Sequence, residues 1–374
     1  MYPVYFVPCF SAFFILLLSC FFLSNSGKII YTLIYPVDDF MLILAIIFLI
    51  LFVPQVYYAF KRKRYKSLDM ASKFFKRMTV LKEDGYEEMY LTNTDGADVF
   101  VRVLSCENPK AVVQLVHGVA EHSGNYMEFS RFLNQNGYIV AIDDHRGHGR
   151  SISNAYPNGF MNMAEELVDD EIMIAKYMKD EYPNLEYYMI GHSMGSMIAR
   201  LFLRKHDDML DKFIVMGTVP VNKFSFLGVF FLNIACFYLG SKTESRLINS
   251  VVGASGLDFI SYDRENIEIK SNDPLRIFRF KLGYTRALID LNRKLGKKAD
   301  YECKNSNLKI YYMVGAEDII TKGEKGVTDS LNFLKSIGYK DVSSKTYEHM
   351  KHEILCETNK EFVYNDILNF FDDK

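Results

Sequence analysis

The segment Gly191-His192-Ser193-Met194-Gly195 sets a serine between two glycines, with a strand-like run before it (Tyr187–Ile190) and a helix-like run after it (Met194–Arg204). A nucleophile on a tight strand-to-helix turn needs neighbours without side-chain bulk, and the glycines supply them. The N-terminus of the following helix would point free N–H groups at developing negative charge. A serine hydroxyl is a poor nucleophile at neutral pH. It needs a base, and the base needs an acid to orient it. Gly315-Ala316-Glu317-Asp318 follows one strand-like run, and Glu348-His349-Met350-Lys351-His352-Glu353 follows another. Asp318 and His352 are the first choices for acid and base; Glu317 and His349 stay open as rivals. A carbonyl under attack also needs donors for its oxygen. The loop His117–Ser123 offers the backbone N–H of Val119, and Met194 offers a second beside the serine. His117 and His122 read as side chains that fix this loop by hydrogen bonding. Such chemistry needs no metal or cofactor, and none is expected.

These residues must be carried by regular elements. Strands are expected at Glu87–Thr92, Val99–Leu104, Ala111–His117, Tyr138–Asp143, Glu186–Ile190, Lys212–Met216, Leu308–Val314 and Val342–Tyr347. Helices are expected between them at Gly124–Asn136, Asn162–Glu181, Ser193–His206, Gly323–Gly338 and His352–Phe371. Short apolar runs alternating with helical patterns predict a mostly parallel sheet with helices on both faces. In such sheets the site lies beyond the carboxyl ends of the strands, where Ser193, Asp318 and His352 all fall. Residues 218–300 hold no clear strand, are too long for a loop, and predict an inserted helical cap. Within them Phe224–Gly240 is apolar almost throughout. As a membrane span it would be short, and it would strand Ser193 on the opposite side from its partners.

Two stretches near the N-terminus carry no charge, residues 4–24 and 40–60, each about long enough to cross a bilayer as a helix. Lys61-Arg62-Lys63-Arg64-Tyr65-Lys66 follows at once, whereas the stretch between them holds Lys28 against Asp38 and Asp39. The positive-inside rule then predicts a transmembrane hairpin with residue 61 onward in the cytoplasm. A single span at 40–60 is the simpler alternative. A cleaved signal peptide fits poorly, since its n-region would lack Lys and Arg. The expected organisation is a membrane anchor at 1–66 and a hydrolase domain at 67–374.

The chain has 374 residues and a formal net charge of -2, with 49% hydrophobic and 24% charged residues, so it is globular and gives no reason to expect a nucleic-acid partner. The six cysteines are scattered, without metal spacing, and read as free thiols. Nothing in the composition sets the oligomeric state.

The run His117-Gly118-x-x-Glu121-His122-Ser123-Gly124-x-Tyr126 resembles the monoacylglycerol lipase and lysophospholipase branch of the α/β-hydrolases. So do Asp144-His145-Arg146-Gly147-His148-Gly149-Arg150-Ser151, Gly191–Gly195, Gly315-x-x-Asp318 and His352-Glu353-Ile354-x-x-Glu357. The resemblance spans residues 111–357 in the family's order. It implies the α/β-hydrolase fold, a triad of Ser193, Asp318 and His352, an oxyanion hole at Val119 and Met194, and a structural turn at Asp144–Ser151. Val119 stands where the family often has a smaller residue. The function implied is a serine esterase acting on monoacylglycerol or lysophospholipid, held at the bilayer by its anchor. The same triad would serve a peptidase or thioesterase, and a silent membrane scaffold is the reading from another class.

Overall fold

A computed structural model describes residues 39–66, 76–244, 249–250 and 256–373. The chain divides into two compact units between Val53 and Pro54. In the first, the described residues are the start of helix α1 (Asp39–Lys66), where Met41, Ile43, Phe48 and Phe52 are exposed. By length and composition, α1 is the one helix among the described residues that could cross a membrane. The first expected span, residues 4–24, lies outside the described residues.

The second unit is built on a nine-stranded sheet in the order β1-β2-β3-β5-β4-β6-β7-β8-β9. Its strands are β1 (Lys76–Glu83), β2 (Tyr86–Thr92), β3 (Asp98–Leu104), β4 (Ala111–Val116), β5 (Tyr138–Asp144), β6 (Glu186–His192), β7 (Lys212–Met216), β8 (Lys309–Gly315) and β9 (Val342–Tyr347). From β5 through β9 every neighbouring pair is parallel; β1, β2 and β3 extend the sheet antiparallel. The side-chain period of two explains the two cores. On one face Val112, Val116, Tyr187 and Met189 pack with helices α3 (Ala164–Glu181), α4 (Met194–His206), α7 (Leu282–Leu295) and α8 (Gly323–Ile337). On the other, Val113, Leu115, Tyr188 and Ile190 pack with α2 (Met127–Gln135) and α9 (Lys360–Asp372). Each large apolar side chain so buried contributes roughly 1.5–3 kcal/mol.

Three expectations need correcting. β1 was not foreseen: among the described residues it pairs only with β2, it leaves Met78, Val80 and Leu81 exposed, and so it shows no buried stripe to read. The expected helix His352–Phe371 is instead a loop, a short 3-10 turn at Ile354–Cys356, and α9 from Lys360. The cause is Glu357, whose buried carboxylate accepts from Lys351 N (2.8 Å), Ser261 Oγ (2.9 Å) and Tyr262 N (2.8 Å) and holds this chain open. The expected helix Gly124–Asn136 begins as a 3-10 turn, Ser123–Tyr126, capped by His122.

Between β7 and β8 lie helices α5 (Ser225–Leu239), α6 (Arg264–Asn272) and α7. Helix α5 turns small and polar residues inward, with Ser225, Val229, Asn233 and Cys236 buried. Phe224, Phe226, Phe231 and Leu239 face outward, Phe231 being 61% exposed. Residues 54–66 of α1 pack against this part of the molecule. Gln55 Nε2 donates to Phe230 O (3.1 Å), its Oε1 accepts from Asn233 Nδ2 (2.8 Å), and Tyr57 meets Phe237 edge-on at 5.3 Å. The basic run is not a free flank. Lys61 Nζ donates to Asn162 (2.6 Å), and Arg62 pairs with Glu165 (2.9 Å) and Asp290 (3.0 Å). Acids on α3 and α7 account for this docking.

Candidate active site

Strand β6 ends at His192 and α4 starts at Met194, so Ser193 alone makes the turn. Its φ of 53° and ψ of -116° lie where L-residues are strained. Three bonds hold it there: Ser193 N donates to Met216 O (3.0 Å), and Ser193 O accepts from Ser196 N (3.0 Å) and from Ser196 Oγ (2.6 Å). The flanking glycines are obligatory by contact. A Cβ at Gly195 would lie 2.0 Å from Val116 O, and one at Gly191 would lie 2.7 Å from Gly195 O.

The loop after β8 brings Asp318, and the loop after β9 brings His352. Asp318 Oδ2 lies 2.9 Å from His352 Nδ1, and Asp318 Oδ1 accepts from Ile320 N (2.8 Å). Both side chains are buried. With Nδ1 engaged, Nε2 is the ring nitrogen left for other work. The rivals Glu317 and His349 lie elsewhere: the His349 side chain is 88% exposed, with Nδ1 3.8 Å from Glu317.

Ser193 and His352 line one cavity of about 680 Å³, together with Val119 and Met194. That volume is in the range of small-molecule sites. Leu257, Phe259, Ile277, Phe280 and Leu288 make much of its wall apolar. Met194 opens α4, so its N–H has no acceptor within the helix ladder. The Val119 loop is fixed from several sides. Gly118 N donates to Glu121 Oε2 (3.0 Å), Ala120 N to Tyr284 Oη (3.2 Å), and Ile277 N to Ala120 O (3.2 Å). Of the two histidines in the loop, His117 Nε2 accepts from His145 N (3.0 Å), and His122 pairs with Asp273 (2.7 Å).

The turn Asp144–Ser151 braces the same region. Asp144 accepts from Ser123 N and Arg150 N, both at 2.7 Å, and Ser151 Oγ accepts from Phe100 N (2.8 Å). Behind it, Asp143, His145 and Glu171 form a buried group with ligand atoms close enough to hold a metal ion. They pair with one another: His145 Nδ1 lies 2.9 Å from Asp143 Oδ2 and 3.2 Å from Glu171 Oε1. Burial, then the Asp143 charge, pushes the Glu171 carboxyl up to about 8.

Residues 107–359 match the family described as serine aminopeptidase, S33. The chain belongs to that family. This S33 hydrolase is 25% identical over 270 residues to the monoacylglycerol lipase of Mycolicibacterium smegmatis, covering 70% of its own length and 88% of the relative's. It is 29% identical over 260 residues to the monoglyceride lipase homolog of Monkeypox virus, covering 67% and 85%. Among solved structures, the thermostable carboxyl esterase of Bacillus coagulans, in complex with glycerol, superposes with a TM-score of 0.67 at 25% identity, over 80% of this chain and 98% of that one. The S33 hydrolase is thus a serine hydrolase of the carboxylic ester class with the α/β-hydrolase fold, and it is similar to monoacylglycerol lipases.

Sequence reasoning missed the polar groups packed around this site in the S33 hydrolase. Tyr126 Oη lies 2.8 Å from both Glu121 Oε2 and His192 Nδ1, and His192 Nε2 lies 3.2 Å from His352 O. Burial alone would lower the His192 pKa, but the Glu121 carboxylate overrides it and raises it. Glu121 and Tyr126 stand within a motif already singled out; Tyr284, on α7, carried no signal at all.

Proposed function

We propose that this S33 hydrolase is a membrane-tethered lipid esterase that cleaves monoacylglycerol or lysophospholipid through an acyl-enzyme on Ser193. The observation that carries the reading is the single cavity in which Ser193 and His352 meet apolar walls. Ser193 Oγ attacks the ester carbonyl while His352 Nε2 takes its proton. Asp318 holds the imidazole through Nδ1 and stabilises its charged form. The carbonyl oxygen, now an anion, takes N–H donors from Val119 and Met194. Collapse expels the alcohol with the proton from His352. Water, deprotonated by His352, then releases the fatty acid and restores Ser193. No step calls for a metal or cofactor.

A second reading is a peptidase or thioesterase with the same residues, and the family's description, serine aminopeptidase, suggests the first of these. An aminopeptidase needs an unengaged carboxylate for the substrate's ammonium group. Among the described residues the acids lining the cavity are Glu121 and Glu353, and Lys270 pairs with both. This supports ester over peptide.

Membrane tethering rests on α1 and α5. An exposed Phe forgoes roughly 1.5–3 kcal/mol that burial would recover. A helix with its phenylalanines outward suits an apolar medium, and α5 lies beside residues 54–66 of α1. We assign residues 1–66 to the anchor, with 4–24 as a first span and 40–60 as a second, and the hydrolase domain, 67–374 with its cap at about 218–300, to the cytoplasm.

Carbonate-washed membranes carrying the protein test this reading. They are expected to retain the activity and to turn over 1-oleoylglycerol or 1-oleoyl-lysophosphatidylcholine at least about a hundredfold faster than alanine p-nitroanilide. Preference for the amide would sink the lipid-ester reading, and activity in the wash would sink the tether.

A further inference from the structure

We infer that Lys270, on α6, is a positioning residue that ties the loop of the oxyanion donor Val119 to the loop of the base His352. The inference rests on the roles proposed above for those two residues. Lys270 is 3% exposed although it sits on a short helix, RENIEIKSN, whose composition is that of a solvated surface. Its Nζ lies 2.7 Å from Glu121 Oε1 and 2.5 Å from Glu353 Oε2. A lysine is almost never this buried unless it is paired. Here it has two carboxylates from two different loops.

Each carboxylate is one step from the chemistry. Glu121 uses its other oxygen to accept the N–H of Gly118, the residue before Val119. That backbone lies against the nucleophile: a Cβ at Gly118 would come within 3.2 Å of Ser193 Cβ. Glu353 directly follows His352 and anchors its own N–H to Ile260 O (2.8 Å), in the same inserted segment as Lys270. One ammonium from the insertion therefore fixes the backbone on both sides of the site. Burial alone would lower its pKa, yet the charges of Glu121 and then Glu353 raise it above the ordinary lysine value, so it stays charged. Without it, two buried carboxylates face each other. One must take a proton or move, and movement carries Gly118–Val119 or His352 with it.

The role is read in kcat rather than KM, because a shifted donor or base acts on the transition state while the acyl wall is untouched. Hydrolysis of p-nitrophenyl butyrate is measured on the full chain in detergent micelles, beside thermal melts. Lys270→Met is expected to lower kcat about tenfold or more with KM within about threefold. Lys270→Arg keeps the charge and is expected to recover most of the loss. A folded Lys270→Met with kcat within about twofold of wild type overturns the inference. So does a folded Lys270→Arg that loses as much as Lys270→Met. Should Lys270→Met fail to fold, Lys270→Met/Glu353→Gln removes the facing charges. A low kcat with a normal melt then supports the tie, and a wild-type kcat overturns it. Ser193→Ala run alongside separates two failures. If it still hydrolyses the ester, the reading of the site has failed; if it is dead while Lys270→Met is normal, only the role of Lys270 has failed.

Discussion

Ser193→Ala is expected to lower hydrolysis of 1-oleoylglycerol by about three to six orders of magnitude while leaving the thermal melt within about two degrees of wild type. The loss follows from removing the attacking atom. What would remain is the weak acceleration that oxyanion donors give to water alone. The fold should persist because the bonds that hold the turn are backbone ones on the Ser193 side. Its N–H meets Met216 O, and its carbonyl accepts from Ser196. Alanine at a φ of 53° bears much the same strain as serine. Retained hydrolysis in a folded variant would remove Ser193 from the mechanism.

The second large effect separates two histidines three residues apart. His352→Ala and Asp318→Asn are each expected to cost about 10⁴ in kcat, and His349→Ala less than about twofold. His352 is buried, held through Nδ1 by Asp318, and lines the cavity with Ser193. His349 points to solvent. Asp318→Asn should act through the ring rather than the cavity. An amide that presents N–H to Nδ1 would favour the wrong tautomer and leave Nε2 without its lone pair for Ser193. Assays on the three purified variants, with matched melts, decide it. Loss in His349→Ala with near-normal His352→Ala would reverse the assignment.

The strands that position these residues were legible because β4 to β8 are buried on both faces and read as short apolar runs such as AVVQLV and KFIVM. The serine turn was legible because its steric demands are met by residue type, glycine at 191 and 195. Elsewhere the controlling contacts are between residues far apart in the chain. Glu357 breaks the expected helix after His352 by accepting from Ser261 and Tyr262, about a hundred positions away, and no local pattern announces that. Lys270 is hidden for the same reason, since its partners at 121 and 353 neutralise a charge the sequence alone would leave in water. Nor could the run at 61–66 show that Lys61 and Arg62 would meet Asn162, Glu165 and Asp290. β1 failed differently, being an exposed edge with no buried face.

The docking of residues 54–66 bears on function. Helix α5 is gripped on its buried face (Ser225, Val229, Asn233 and Cys236) chiefly by α7, where Ser225 Oγ donates to Asn292 Oδ1 (2.8 Å). Two hydrogen bonds through Gln55 and the ring contact of Tyr57 supply part of that grip from α1. Phe224, Ser225 and Gly228 also line the cavity, so the helix held by α1 forms part of the substrate's wall.

The most direct test of the central claim is to find which atom takes a covalent label. The full chain is treated with a fluorophosphonate carrying a long alkyl group, digested, and sequenced by tandem mass spectrometry. The account predicts one stoichiometric adduct on Ser193, suppressed when 1-oleoylglycerol is present in excess and absent in Ser193→Ala. An adduct on another residue, or full hydrolysis of 1-oleoylglycerol by protein that takes no label, would contradict it.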